Sequence, residues 1–93
     1  MNSNKEEKMQ RPKAFAHILF EPSKDGCLLL DQKKECIHSL NRTAAFIWTF
    51  CDGKHSVLEI EEALEGFWKA FGKNAMVEVQ TTLKKFRSLN LLE

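Results

Sequence analysis

The chain starts polar and turns apolar only at Ala14. From Met1 to Lys13 charges of both signs mix with amides and no period emerges, so residues 1–13 are expected to form a disordered lead-in. Ala14 to Glu21 reads Ala-Phe-Ala-His-Ile-Leu-Phe-Glu, a short apolar and aromatic run closed by Pro22, and predicts a strand. Ser23-Lys24-Asp25-Gly26 has turn chemistry, because Asp-Gly tolerates the positive φ of a tight turn. Cys27–Asp31 predicts a second strand and Gln32-Lys33-Lys34 a polar turn. Glu35–Leu40 predicts a third strand, with Ile37 on one face and Cys36, His38 and Leu40 on the other. Strands this close in sequence pair as an antiparallel meander.

Beyond Leu40 the period lengthens. Asn41 suits an N-cap, and Arg42–Cys51 carries Ala44, Ile47, Trp48 and Cys51 at helical spacing before Asp52-Gly53 stops it. Ser56-Val57-Leu58-Glu59 is a capping box. The helix behind it sets Val57, Ile60, Leu64, Phe67 and Phe71 on one face. Glu59, Glu61, Glu62 and Glu65 then fall on a solvated face, and Trp68 is expected partly exposed at the margin of the stripe. Gly72 is expected to end this helix. Asn74 caps a third, with Met76, Val79, Leu83, Phe86 and Asn90 along one side and Leu91 and Leu92 over the core edge. Three strands followed by three helices specify an α+β domain over residues 14–93, with an antiparallel sheet packed on the helices. Its last two helices are similar to a helix-turn-helix, with the hairpin as a wing.

The size adds a bound. A chain of 93 residues is one domain, and about 60% of its unfolded surface is buried on folding, which leaves room for a surface groove but little for a deep enzyme pocket. With 14 basic and 13 acidic residues the net charge is +1, too balanced to steer the chain toward nucleic acid or an anionic membrane. The apolar runs are too short to span a bilayer, and the polar N-terminus lacks the apolar stretch of a signal peptide; a cytoplasmic protein is expected.

The candidate chemistry is sparse. His17, His38, Cys27, Cys36 and Cys51 fit no common zinc spacing, so small buried or reduced cysteines are expected and no metal or cofactor. Cys36 and His38 share a strand face, but alternation is expected to hold them too far apart for a tight nucleophile–base relay, and no third group orients them. Catalysis is therefore not expected.

Four blocks carry a resemblance. Leu40-Asn41-Arg42-Thr43-Ala44-Ala45-Phe46-Ile47-Trp48 is followed by Phe50-Cys51-Asp52-Gly53-Lys54-His55-Ser56-Val57-Leu58-Glu59-Ile60, with Gly26-Cys27-Leu28-Leu29-Leu30-Asp31 upstream and Leu83-x-x-Phe86 with Leu91-Leu92 downstream. In this order and spacing they resemble the PQQ biosynthesis protein D family. The resemblance implies a non-catalytic recognition element that binds the leader of a ribosomally made precursor peptide. The leader would add as a strand beside the third strand and against the third helix, and be presented to a modifying enzyme, often a radical SAM enzyme. It points to Glu35, Cys36, Ile37, His38 and Ser39 as the docking strand. On the third helix two flanks are open, one with Gln80, Lys84 and Arg87 and one with Thr82, Lys85 and Leu89. The family's apolar preference at position 82 favours the second, and Lys85 is placed to pair with an acidic leader residue. Asn90 stands where the family has glycine, and asparagine also tolerates the left-handed conformation.

The alternative is a winged helix-turn-helix DNA-binding protein. Against it, Ala75–Thr82 at the start of the third helix has no basic residue, and the preceding helix is acidic. The Lys33-Lys34 tip is expected to be solvated, and a monomer or weak dimer fits an exposed edge strand.

Overall fold

In the computed structural model the described residues are 3–68 and 74–93. Phe71 and Gly72, expected on and after the stripe of the second post-sheet helix, lie outside them. A helix α1 (Ser3–Met9) precedes three strands, β1 (Ile18–Ser23), β2 (Gly26–Asp31) and β3 (Cys36–Asn41), and three helices, α2 (Arg42–Trp48), α3 (Val57–Trp68) and α4 (Ala75–Ser88). The sheet is antiparallel in the order β1-β2-β3. Among the described residues no helix is long and apolar enough to cross a membrane.

The segment expected as a disordered lead-in holds α1 and then a strap of hydrogen-bonded backbone. The Pro12 carbonyl accepts from Gly53 N–H (2.9 Å), Gln10 carbonyl from Val57 N–H (2.8 Å) and Lys13 carbonyl from Glu93 N–H (2.7 Å). The strap also explains where the first strand begins. Ala14 and Phe15 donate to the Cys51 and Leu91 carbonyls instead of pairing with β2, so the ladder starts at Ile18 and not at Ala14. It runs on through Pro22 to Ser23 because Pro22 sits on an edge strand, where a missing N–H costs no ladder bond.

The turn between β1 and β2 also departs from the expectation. Lys24 and Asp25 keep negative φ, and Gly26 is the first residue of β2. Glycine is required there by contact: a Cβ on Gly26 would lie 1.9 Å from the Leu40 carbonyl oxygen.

The three predicted caps are local devices, and all three form. Asn41 Oδ1 accepts from Ala44 N–H at 2.8 Å, and Asn74 Oδ1 from Val77 N–H at 3.3 Å. Ser56 and Glu59 exchange bonds at 2.8 and 3.1 Å. Asn90 adopts φ 57°, and Asn90 and Leu91 donate to the Arg87 and Phe86 carbonyls, a Schellman closure of α4.

Helix α2 is the wedge of the fold. It packs against β2 and β3 on one side and against α3 and α4 on the other. Ile47 and Trp48 are buried in this seam, and Trp48 meets Phe86 edge to face at 5.3 Å. The α2 helix stops at Trp48, short of Cys51, and a tight turn carries Phe50 and Cys51 on.

The stripe of α3 is rotated from the expected one. Trp68 is buried and Phe67 is the exposed residue, stacked on Phe46 at 4.8 Å. Glu61, expected in solvent with the other glutamates, is buried and meets Lys8 (3.4 Å) and Gln80 (3.2 Å). The cause is α1, which packs on α3 and supplies the cation that a buried carboxylate needs.

Candidate functional site

The register of the sheet decides which backbone groups are left open. Gln32 N–H donates to the His17 carbonyl at 3.2 Å, so the even-numbered residues of β2 turn their backbone groups toward β1. The odd-numbered residues, Cys27, Leu29 and Asp31, turn theirs toward their β3 partners Leu40, His38 and Cys36. The Leu40 carbonyl at the Gly26 Cα fits this phase. Ile37 and Ser39, between those partners, hold N–H and C=O toward the open side of β3.

That open side faces a gap. No Cα of β3 lies within 8 Å of a Cα of α4, because α2 props the two apart. The gap is a groove of about 810 Å³. One wall is Ser39, Leu40 and Asn41 with Ala44 behind them; the other is Glu78, Thr81, Thr82 and Lys85 of α4, over Phe86. The β1–β2 turn, Ser23–Asp25, closes one end, beside Leu28.

The expected site residues divide accordingly. Ser39, Thr82 and Lys85 line the groove. Cys36, Ile37 and His38 lie on β3 without lining it, with Ile37 pointing outward and 64% exposed. Glu35 is not part of the strand: it closes the β2–β3 turn at φ 54°. Leu89 caps α4 and packs half-buried against the core, outside the groove. Position 89 follows the last helical turn, where the Schellman closure bends the chain away. The other flank of α4, Gln80, Lys84 and Arg87, lines a separate groove of about 390 Å³ beside Glu7 and Gln10 of the N-terminal segment. The Ser23–Asp25 turn carried no sequence signal for a site; only the register brings it to the end of β3.

The cysteines and histidines assemble no metal cluster among the described residues. Cys27 faces Leu40 and Cys36 faces Asp31, so the two thiols are not cross-strand partners. Cys27 and Cys51 are buried, and burial pushes the Cys51 thiol up to about 12. Cys36 and His38 are closer than strand alternation suggested, with Sγ and Nε2 3.5 Å apart. Two alternate side chains on a twisted strand can lean together without a bulge, and the register is unbroken here. Asp31 anchors the Lys33-Lys34 turn: its Oδ1 accepts from both amides at 3.0 Å and lies 3.6 Å from His17 Nε2. Donation from the Lys34 amide, aided by that of Lys33 and by His17, holds the Asp31 carboxyl below the usual carboxylate range against the opposing effect of burial.

Comparisons with known proteins agree with this architecture. The family model of coenzyme PQQ synthesis protein D (PqqD) matches residues 26–92. The solved structure "TbiB1 in Complex with the TbiA(beta) Leader Peptide" superposes with a TM-score of 0.75 over 87% of this chain and 94% of that one, at 17% identity. At that identity the likeness is one of fold. No curated protein matches the chain.

Proposed function

Because the chain belongs to the coenzyme PQQ synthesis protein D (PqqD) family, we propose that it is a non-catalytic peptide chaperone that takes the leader of a ribosomally made precursor peptide as a fourth strand on β3 and presents it to a modifying enzyme. The observation that carries this reading is the open edge of β3 facing the groove against α4. A chain laid along that edge satisfies the N–H and C=O groups of Ile37 and Ser39, while its alternate side chains enter the groove. These four backbone bonds contribute ~2–6 kcal/mol net, and ordering a disordered leader costs about 2–5 kcal/mol. Backbone pairing therefore leaves little surplus, and affinity and choice of peptide come from the groove. The enzyme that receives the peptide is a radical SAM enzyme in this reading, and the protein works in the cytoplasm as a monomer or weak dimer.

The test is an amide NMR titration of the labelled protein with a synthetic leader, drawn from the short open reading frame beside its gene, and with duplex DNA as control. Shifts confined to Ile37–Asn41 and to Glu78, Thr82 and Lys85 are expected with the peptide. Movement of the Lys33-Lys34 tip and α4 with DNA, and none with peptide, would replace this reading by the DNA-binding one.

A further inference from the structure

We infer that the groove selects a peptide that places a carboxylate, from Asp or Glu, between the Thr82 hydroxyl and the Lys85 ammonium, with a basic or neutral residue two positions along facing Glu78. This rests on the strand-addition reading and specifies what it recognises.

The first observation is Thr82. It is 7% exposed, lines the groove, and its hydroxyl has no hydrogen-bond partner among the described residues. Hydroxyls near helix ends in this protein bond back to a carbonyl: Ser88 to Lys85 at 2.8 Å and Thr49 to Phe46 at 2.6 Å. Thr82 does not. Its oxygen keeps some contact with water, and a peptide seated in the groove displaces that water, so an acceptor on the peptide is needed to replace it.

The charges of the walls supply the second observation. Lys85 stands one turn beyond Thr82 and has no ion pair among the described residues. Glu78 stands one turn before it and is likewise without an ion pair among them. On the opposite wall Asp25 is engaged by Arg42 at 3.9 Å, whereas Lys24 has no such partner among the described residues. Beside Thr82 the unengaged charge is thus positive, and it turns negative only at Glu78. Thr82 and Lys85 both offer donors; a carboxylate offers only acceptors and complements both. A leucine in that place would leave the hydroxyl unsatisfied.

The spacing fits a strand. Glu78 and Lys85 are separated by about 10.5 Å along the helix axis, and same-face residues of an extended chain by about 6.8 Å, so two alternate side chains span the wall. The order of charges is fixed relative to α4, whichever way the peptide runs.

The experiment is selection of a random twelve-residue display library on the intact protein, followed by affinity measurement and NMR mapping of the selected peptides. Enrichment of Asp or Glu at one register position, with Lys, Arg or a neutral residue two places away, is expected. Replacing that acid by Leu should weaken binding roughly five- to tenfold. The Thr82→Val variant should lose about threefold for the acidic peptide while melting no lower than the parent, since the hydroxyl has no partner to lose. A Glu78→Lys, Lys85→Glu double variant should select the reversed order of charges. Peptides that map to the β3 edge but carry Leu or aromatic residues there, unaffected by the charge swap, would overturn the subsite and leave strand addition standing. Peptides that map elsewhere, or no enrichment at all, would overturn both.

Discussion

The two edges of the sheet, β1 and β3, differ in what their backbones leave open and in what stands beside them. On β1 the outward-turned residues are Ile18, Phe20 and Pro22. Ile18 N–H is taken by the Phe15 carbonyl at 3.1 Å, and Pro22 has no N–H to give. On β3 the outward-turned Ile37 and Ser39 keep both donor and acceptor, and α4 stands across a groove from them. A proline and a local turn blunt one edge, as edge strands commonly require. The other edge is left open where side chains can read what docks. An unpaired edge is a liability unless something selective lies next to it.

The sharpest way to break the comparison is a pair of prolines on β3. His38→Pro removes an N–H that points at β2 and should unfold the domain, with loss of the cooperative thermal transition. Ser39→Pro removes one that points into the open. It should leave a folded protein by circular dichroism and weaken leader binding more than tenfold; equal damage from both would show that the hydrogen-bond phase is misassigned. Next comes Gly26→Ala, which drives a Cβ into the Leu40 carbonyl that fixes this phase. Urea denaturation should register a loss of about 3 kcal/mol, at the high end for a single change. A smaller effect tests the blunted edge: Pro22→Ala restores the donor to β1, yet leader affinity should stay within about twofold, because the groove against α4 runs beside β3 and meets β1 only at Ser23. A new β1-bound peptide in that variant would show that an open edge suffices.

The far end of the hairpin offers a pH test. The Asp31 carboxyl titrates lower in the folded than in the unfolded state, so its stabilisation is complete above the unfolded value and is lost as pH falls through the folded one. Asp31→Asn should flatten the fall of melting temperature on acidification below about pH 4. The smallest expected effect is a difference in labelling: at pH 8 a thiol reagent should modify half-buried Cys36 well before Cys51, read by mass spectrometry, since burial keeps Cys51 protonated.

The features legible in the sequence are those set by neighbours in the chain. Asn41, Asn74, Ser56-Glu59 and Asn90 each act within five residues and are where the sequence put them. The strand order and the helix order follow from period and family pattern, whereas periodicity leaves both flanks of α4 open and only the family's preference at position 82 favours the one with Thr82 and Lys85. What could not be read depends on distant partners. The burial of Glu61 needs Lys8, more than fifty residues away, and the late start of β1 needs Cys51 and Leu91 to take the amides of Ala14 and Phe15. The exchange of Phe67 and Trp68 needs Phe46 to stack on the former. The groove's end wall, Ser23–Asp25, exists only through register.

The strap has a consequence for engineering. Because the Glu93 amide rests on the Lys13 carbonyl at 2.7 Å, residues 13 and 93 adjoin at one point on the surface. A unit with adjoining entry and exit can be spliced into a surface loop of a host protein without prying either apart. Residues 13–93 placed in such a loop, with Glu61→Gln because Lys8 is left behind, would carry the β3 edge as a detachable handle, turning an unrelated protein into one that captures a tagged chain.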